Sequence, residues 1–123
     1  YNTVQHIDGL SFVPLLKGET INSADRALFW HFPNCWGPTG PGIGATSTIR
    51  KGDWKLIYYH ADQHFELFNI PNDIGESTNL ADQETEIKEH LAKELGEYLR
   101  SVNAQMPSYK ASGKQVPWPD KAL

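Results

Sequence analysis

The sequence predicts an α+β fold in which a small antiparallel sheet of about four strands packs against one long C-terminal amphipathic helix. Two observations carry that expectation. Short runs of aromatic and β-branched residues recur between residues 27 and 69, separated by Gly, Pro, Asn and Asp. From about Glu84 to Asn103 the period changes: Ile87, Leu91, Leu95, Tyr98, Leu99 and Val102 recur at helical spacing, and Lys88, Glu89, Lys93, Glu94 and Glu97 fill the other face.

In chain order, residues 8–18 read as one or two helical turns, with Ser11 as N-cap, Pro14 in the first turn and Gly18 as the stop. Asn22 to Arg26 is polar loop. Ala27 to Phe32 reads as a strand that Pro33 ends. Residues 33–44, PNCWGPTGPGIG, have too much Pro and Gly for regular structure, yet Trp36 and Ile43 are too apolar for a plain linker, which predicts an ordered surface loop. Thr46–Lys51 and Trp54–Tyr59 are two strands joined by a tight turn at Gly52-Asp53, and Phe65–Asn69 alternates as a further strand. At the long helix, Asp82 is the expected cap, and Glu84 and Glu86 suit the positive end of the helix dipole. Residues 107–123 are polar and Pro-rich and read as a loosely packed tail, in which Trp118 either docks or stays free.

A length of 123 residues fits a single domain, 1–123, with enough interior for one core. The net charge of −4 and the scatter of Lys and Arg leave no basic stripe for nucleic acid. No apolar run approaches the ~20 residues of a membrane span. The lone Cys35 has no second thiol for a disulfide or a redox pair. The nucleophile elbow GxSxG, the zinc motif HExxH, the phosphate-cradling loop and the Rossmann fingerprint are all missing, so no familiar self-contained catalytic unit is present.

Four local patterns invite a chemical reading. His60, Asp62 and His64 alternate as metal ligands on a strand would, but they fall between two strands, where a solvated turn needs the same residue types; the turn is preferred. Cys35 with His31 could form a nucleophile pair, although no third group orients it. Trp36 in its Gly/Pro loop could stack on a ligand, whereas most aromatics fill cores. Arg50 and Lys51 form a small cationic pair suited to an anion or, more commonly, to a solvated face.

The ordered string of motifs resembles the C-terminal region of the sulfatase family, the formylglycine-dependent hydrolases of sulfate esters. The matching pieces are Asp8-Gly9-Leu10-Ser11 with Pro14-Leu15-Leu16-Lys17-Gly18, then Arg26-Ala27-Leu28-Phe29-Trp30-His31, then Thr48-Ile49-Arg50-Lys51-Gly52-Asp53-Trp54-Lys55-Leu56-Ile57, then Glu66-Leu67-Phe68-Asn69-Ile70 with Asp73, Gly75-Glu76 and Asn79-Leu80-Ala81, and the long helix. The resemblance implies an accessory C-terminal subdomain of a larger enzyme with no catalytic centre of its own. The family nucleophile lies in a Cys/Ser-x-Pro-x-Arg motif. Cys35 does not fit it, because Gly37 stands where Pro is required and Gly40 where Arg is required. No catalytic residue or metal ligand transfers here, and the calcium and formylglycine of the family are expected in an N-terminal domain.

The resemblance also implies that the loop after the first strand faces the active-site mouth. On that reading His31 and Asn34 hydrogen-bond a sulfated carbohydrate or aryl sulfate, Trp36 stacks on it and Arg50 pairs with its charge. The competing assignment makes His31 a core histidine and Trp36 a plug at the domain junction. The implied partner is the catalytic domain of the same chain, with self-association when that domain is absent, no nucleic acid and no membrane, and a secreted or periplasmic location. A free-standing carbohydrate-binding or structural interaction module is the alternative.

Overall fold

The computed structural model describes residues 9–21, 26–35 and 44–123. A single antiparallel sheet is formed by β1 (Leu28–Phe32), β2 (Thr46–Lys51), β3 (Trp54–Tyr59) and β4 (Phe65–Asn69), paired in that order. The β2–β3 connection is the expected two-residue turn, with Lys51 opposite Trp54. Gly52 has φ +55° and Asp53 does not share the positive φ, which is the demand of a type II′ turn and explains why Gly precedes Asp here. The sheet and the single long helix α2 (Thr85–Ser101) give the α+β architecture that the sequence predicts.

Alternation along the strands divides the sheet into two unlike faces. On one, Ile49, Leu56, Tyr58 and Leu67 are fully buried against Leu91, Leu95 and Leu99 of α2. Phe29 stacks on Tyr98 with ring centroids 3.8 Å apart, and Lys51 Nζ donates to Glu94 at 2.8 Å, so β1 and β2 are both tied to the helix. Burial of each large aliphatic in this seam contributes about 1.5–3 kcal/mol. On the other face Trp30 and Arg50 are exposed, and Lys55 is held by Glu76 at 2.7 Å.

Two caps differ from expectation. Helix α2 starts at Thr85 after Glu84, with no side-chain cap bond, because Asp82 stands two residues before the capping position. The short helix α1 (Val13–Leu16) likewise begins after Phe12, and Ser11 Oγ reaches only the Val13 N–H, at 3.4 Å. Its C-terminus is as predicted: Gly18 has φ +77°, the Glu19 N–H donates to the Pro14 carbonyl and the Gly18 N–H to that of Leu15, a Schellman closure. No helix among the described residues is long and apolar enough to cross a membrane.

The segment 107–123 is not the loosely packed tail that its composition suggests. Val116 and Pro119 are buried, Tyr58 Oη donates to the Pro117 carbonyl at 3.0 Å, and Trp118 is half-buried with the Arg100 guanidinium 5.8 Å from its ring centre. A 3₁₀ turn at Pro119–Lys121 then sets Asp120 on α2, where its carboxylate accepts from Arg100 at 2.7 Å. Burial raises the Asp120 pKa, but the Arg100 hydrogen bond and charge outweigh it and leave the carboxyl below its usual range. Polar residues serve as pins here, and Pro119 as buried apolar surface.

Gly96 makes this docking possible, since a Cβ there would overlap the Asp120 carboxylate. Gly96→Ala raises helix propensity by about 1 kcal/mol, yet it is expected to lower stability in urea unfolding because the carboxylate must leave Arg100. Its cost should shrink in an Asp120→Ala background; equal costs in both backgrounds would show that Gly96 is not reserved for Asp120.

Candidate functional site

The residues that carry chemistry cluster where the helix-facing side of the sheet runs out of apolar side chains. His31 lies opposite Ser47 in the β1–β2 register, and Ser47 lies opposite Tyr58, two residues before His60. The three side chains thus share one face. Ser47 Oγ is 2.8 Å from His31 Nδ1 and 2.8 Å from His60 Nε2, and His31 Nε2 donates to the Gln105 carbonyl at 2.9 Å. Ser47 and His60 are almost wholly buried. Burial, helped by the nearby His31, pushes the His60 pKa down to about 4, so its ring is uncharged at neutral pH. Burial also raises Tyr58 to about 12, with a smaller push from Tyr109.

A cleft of about 640 Å³ opens beside this cluster, between the β1–β2 loop and the segment 105–110, and is lined by Asn34, Cys35, His60 and Tyr109 among others. Among the proposed contacts, His31 therefore sits behind the cleft as a bonded, half-buried histidine, and Asn34 lies on its wall. Trp36 falls outside the described residues. Arg50 is not brought to this place. It pairs with Leu28 at the far end of β2, four residues or roughly 13 Å from Thr46, and on the opposite face. There it lines a separate 420 Å³ hollow with Trp30, Lys55 and Glu76. The Cys35–His31 pair gains no support, because both His31 nitrogens already have partners.

The solvated-turn reading of residues 60–64 holds only in part. Asp62 and His64 are exposed and pair with each other at 2.6 Å, which holds the Asp62 carboxyl below its usual range, while His60 turns inward. The three do not converge. Among the described residues no group of three His, Cys, Asp or Glu side chains is placed to hold a metal ion. The inward residues missed by composition carry a parity signal: Leu56, Tyr58 and His60 follow each other at the two-residue period of a core-facing strand.

Comparison with known proteins gives this geometry a setting. Residues 2–105 match the family model described as N-sulphoglucosamine sulphohydrolase, C-terminal. A protein of Formosa agariphila named sulfatase is 31% identical over 127 residues, covering 96% of this chain but only 23% of that protein, so the chain spans less than a quarter of its curated relative. Among solved structures, BT4656 in complex with its substrate D-glucosamine-2-N,6-O-disulfate matches with TM-score 0.60 and 23% identity, over 83% of this chain and 21% of that one. BT1596, a 2-O GAG sulfatase, matches with TM-score 0.58 and 19% identity, over 93% of this chain and 26% of that one. These two structural likenesses establish the fold.

His60 makes stability depend on pH in a calculable sense. Its folded pKa near 4 lies below the ordinary 6.5, so between those values the unfolded chain binds the extra proton and stability falls as pH falls. The loss from pH 7 to 4 should be about 2–3 kcal/mol. Urea unfolding across this range checks it: His60→Gln is expected to flatten the slope between pH 6.5 and 4, and an unchanged slope would assign the effect to other groups.

Proposed function

We propose, from the premise that this chain belongs to the family of N-sulphoglucosamine sulphohydrolase C-terminal domains, that it is the accessory subdomain of a sulfatase. It docks on the catalytic domain of the same polypeptide and forms part of the rim that receives a sulfated carbohydrate or aryl sulfate. The observation that carries this reading is the unequal covering of its surface. Helix α2 closes one face of the sheet, whereas α1 buries none of its residues and leaves Phe12 and Leu16 64% and 74% exposed, and Trp30 stands 53% exposed on the open face. Large apolar side chains left exposed in this way suit contact with another protein body.

The chemistry present agrees with an accessory role. Ser47 between two histidines has the residue types of a nucleophile and its base, but it is sealed from solvent, and the described residues bring no carboxylate to either ring. The residues here do not fit the calcium and formylglycine of sulfatases: Gly37 and Gly40 break the nucleophile motif, and no described side chains converge on a metal position. Both belong, on this proposal, to the catalytic domain. Secretion or a periplasmic location is part of the same proposal and is tested by fractionating cells that express the full-length protein.

The rim is assigned to the Asn34 end of the sheet. In the full-length enzyme Asn34→Ala should raise KM for a sulfated substrate roughly two- to tenfold, the worth of one hydrogen bond, with kcat within about twofold. Arg50→Ala should leave KM unchanged, and the reverse pattern would move the substrate to the open face. The isolated 123-residue chain is expected to self-associate with rising concentration in light scattering. Leu16→Glu should shift it toward monomer; a wild-type chain that stays monomeric throughout would count against a docking surface at α1.

A further inference from the structure

The hydrogen bonds through His31, Ser47 and His60 have one fixed end. The Gln105 carbonyl oxygen has no proton to give, so His31 Nε2 carries one and donates across 2.9 Å. With His31 uncharged, its Nδ1 is an acceptor: the Ser47 hydroxyl donates to it, and Ser47 Oγ accepts from His60 Nε2, each across 2.8 Å. A second arrangement uses the same three contacts. With a proton on His31 Nδ1 as well, that nitrogen donates to Ser47 Oγ, the Ser47 hydroxyl donates to His60 Nε2, and the His60 proton sits on Nδ1. No group among the described residues bonds His60 Nδ1, so none of them holds the ring to one tautomer. The two arrangements differ by one proton and by no bond within the chain.

We propose that these three side chains form a reversible chain that takes up one proton as the solution turns acidic, carries the charge on His31 and keeps the Gln105 carbonyl bonded in both states. The balance closes with a single added proton: His60 Nδ1 gains it, the His60 Nε2 proton passes to Ser47 Oγ, and the Ser47 proton passes to His31 Nδ1. Position decides which ring is charged. His31 is half-buried, whereas His60 is 1% exposed, and a charge costs more in the deeper place. The two ring centres are 5.6 Å apart, so a first charge opposes a second. The neighbouring elements bring other titratable groups but no anion. Tyr58 of β3 has its ring centre 5.2 Å from that of His60, and α2 brings Tyr98, stacked on Phe29 two residues along β1 from His31. Cys35, Tyr109 and Lys110 line the cleft with His60, and no carboxylate of the described residues does. Residues 105–110 form one wall of that cleft, so this wall stays attached to β1 while the cluster takes up its proton. The device needs no ligand and does not rest on the accessory reading.

The test uses the full-length polypeptide with ¹⁵N-labelled histidine rings, the signals being assigned by their loss in His31→Gln and His60→Gln. The sample is titrated from about pH 8 to about pH 5, across the ordinary histidine range. His31 should go from one protonated nitrogen to two, while His60 keeps one proton throughout and moves it from Nε2 to Nδ1 with the same midpoint. A His60 ring that keeps its Nε2 proton while His31 charges would overturn the proposal, as would a second proton on His60 in this range or a His31 that stays neutral throughout. In Ser47→Ala the link is gone, and the His60 tautomer should cease to follow His31; a tautomer that still follows would place the coupling outside the chain and overturn the proposal too. Should Ser47→Ala fail to fold, the wild-type titration decides alone. Because the readout is a ring nitrogen and not turnover, a negative result leaves the rim reading to the Asn34 kinetics.

Discussion

The apolar seam between one face of the sheet and helix α2 is the constraint on which the rest of the structure depends. Ile49, Leu56 and Leu67 from three strands meet Leu91, Leu95 and Leu99 from the helix with no exposure beyond a few per cent. A four-stranded sheet holds its shape only if something covers its apolar face. The strands therefore have to present one parity inward, and a one-residue slip in any of them would turn that strand's entire apolar set to solvent. Register fixed in this way also determines where every polar residue of the same parity ends up.

At the β1–β2 loop end of the sheet the inward parity continues past the apolar residues, and His31, Ser47 and His60 inherit buried positions that the seam did not need to make polar. They bond to one another, which offsets part of the cost of burial, and the Gln105 carbonyl ties the C-terminal segment to the same point. The segment beyond is held by further polar pins, Tyr58 on the Pro117 carbonyl and Asp120 on Arg100. Stability and cleft shape are thus linked: the contacts that close the C-terminal segment onto the seam also build one wall of the cleft.

Periodicity carried most of this architecture into the sequence. The four strands, their β2–β3 turn and the long helix all follow from alternation and from the 3.6-residue repeat, and Gly18 announced its own left-handed turn. What composition hid was the role of isolated polar residues. Asp82 resembles a helix cap in its identity but not in its position, because capping belongs to the residue just before the first helical one, and that residue is Glu84. Residues 107–123 look like a solvated tail, since side-chain type says nothing about a carboxylate that meets a glycine on a helix twenty-four residues away in sequence. Of the proposed contacts, the placing of Arg50 away from His31 and Asn34 was legible in principle, because residues 31 and 50 do not face each other in any register that pairs Leu28 with Arg50. That register needed the loop length and the β1 partner together, which no single motif supplies.

The two faces of the sheet then have different chemical prospects. The helix side offers enclosure, with a neutral histidine and a serine that are shielded from water and joined in a directed chain. The open side offers an exposed guanidinium, an indole and apolar side chains with room around them. It is the inward parity of β1, β2 and β3 that assigns each residue to its side.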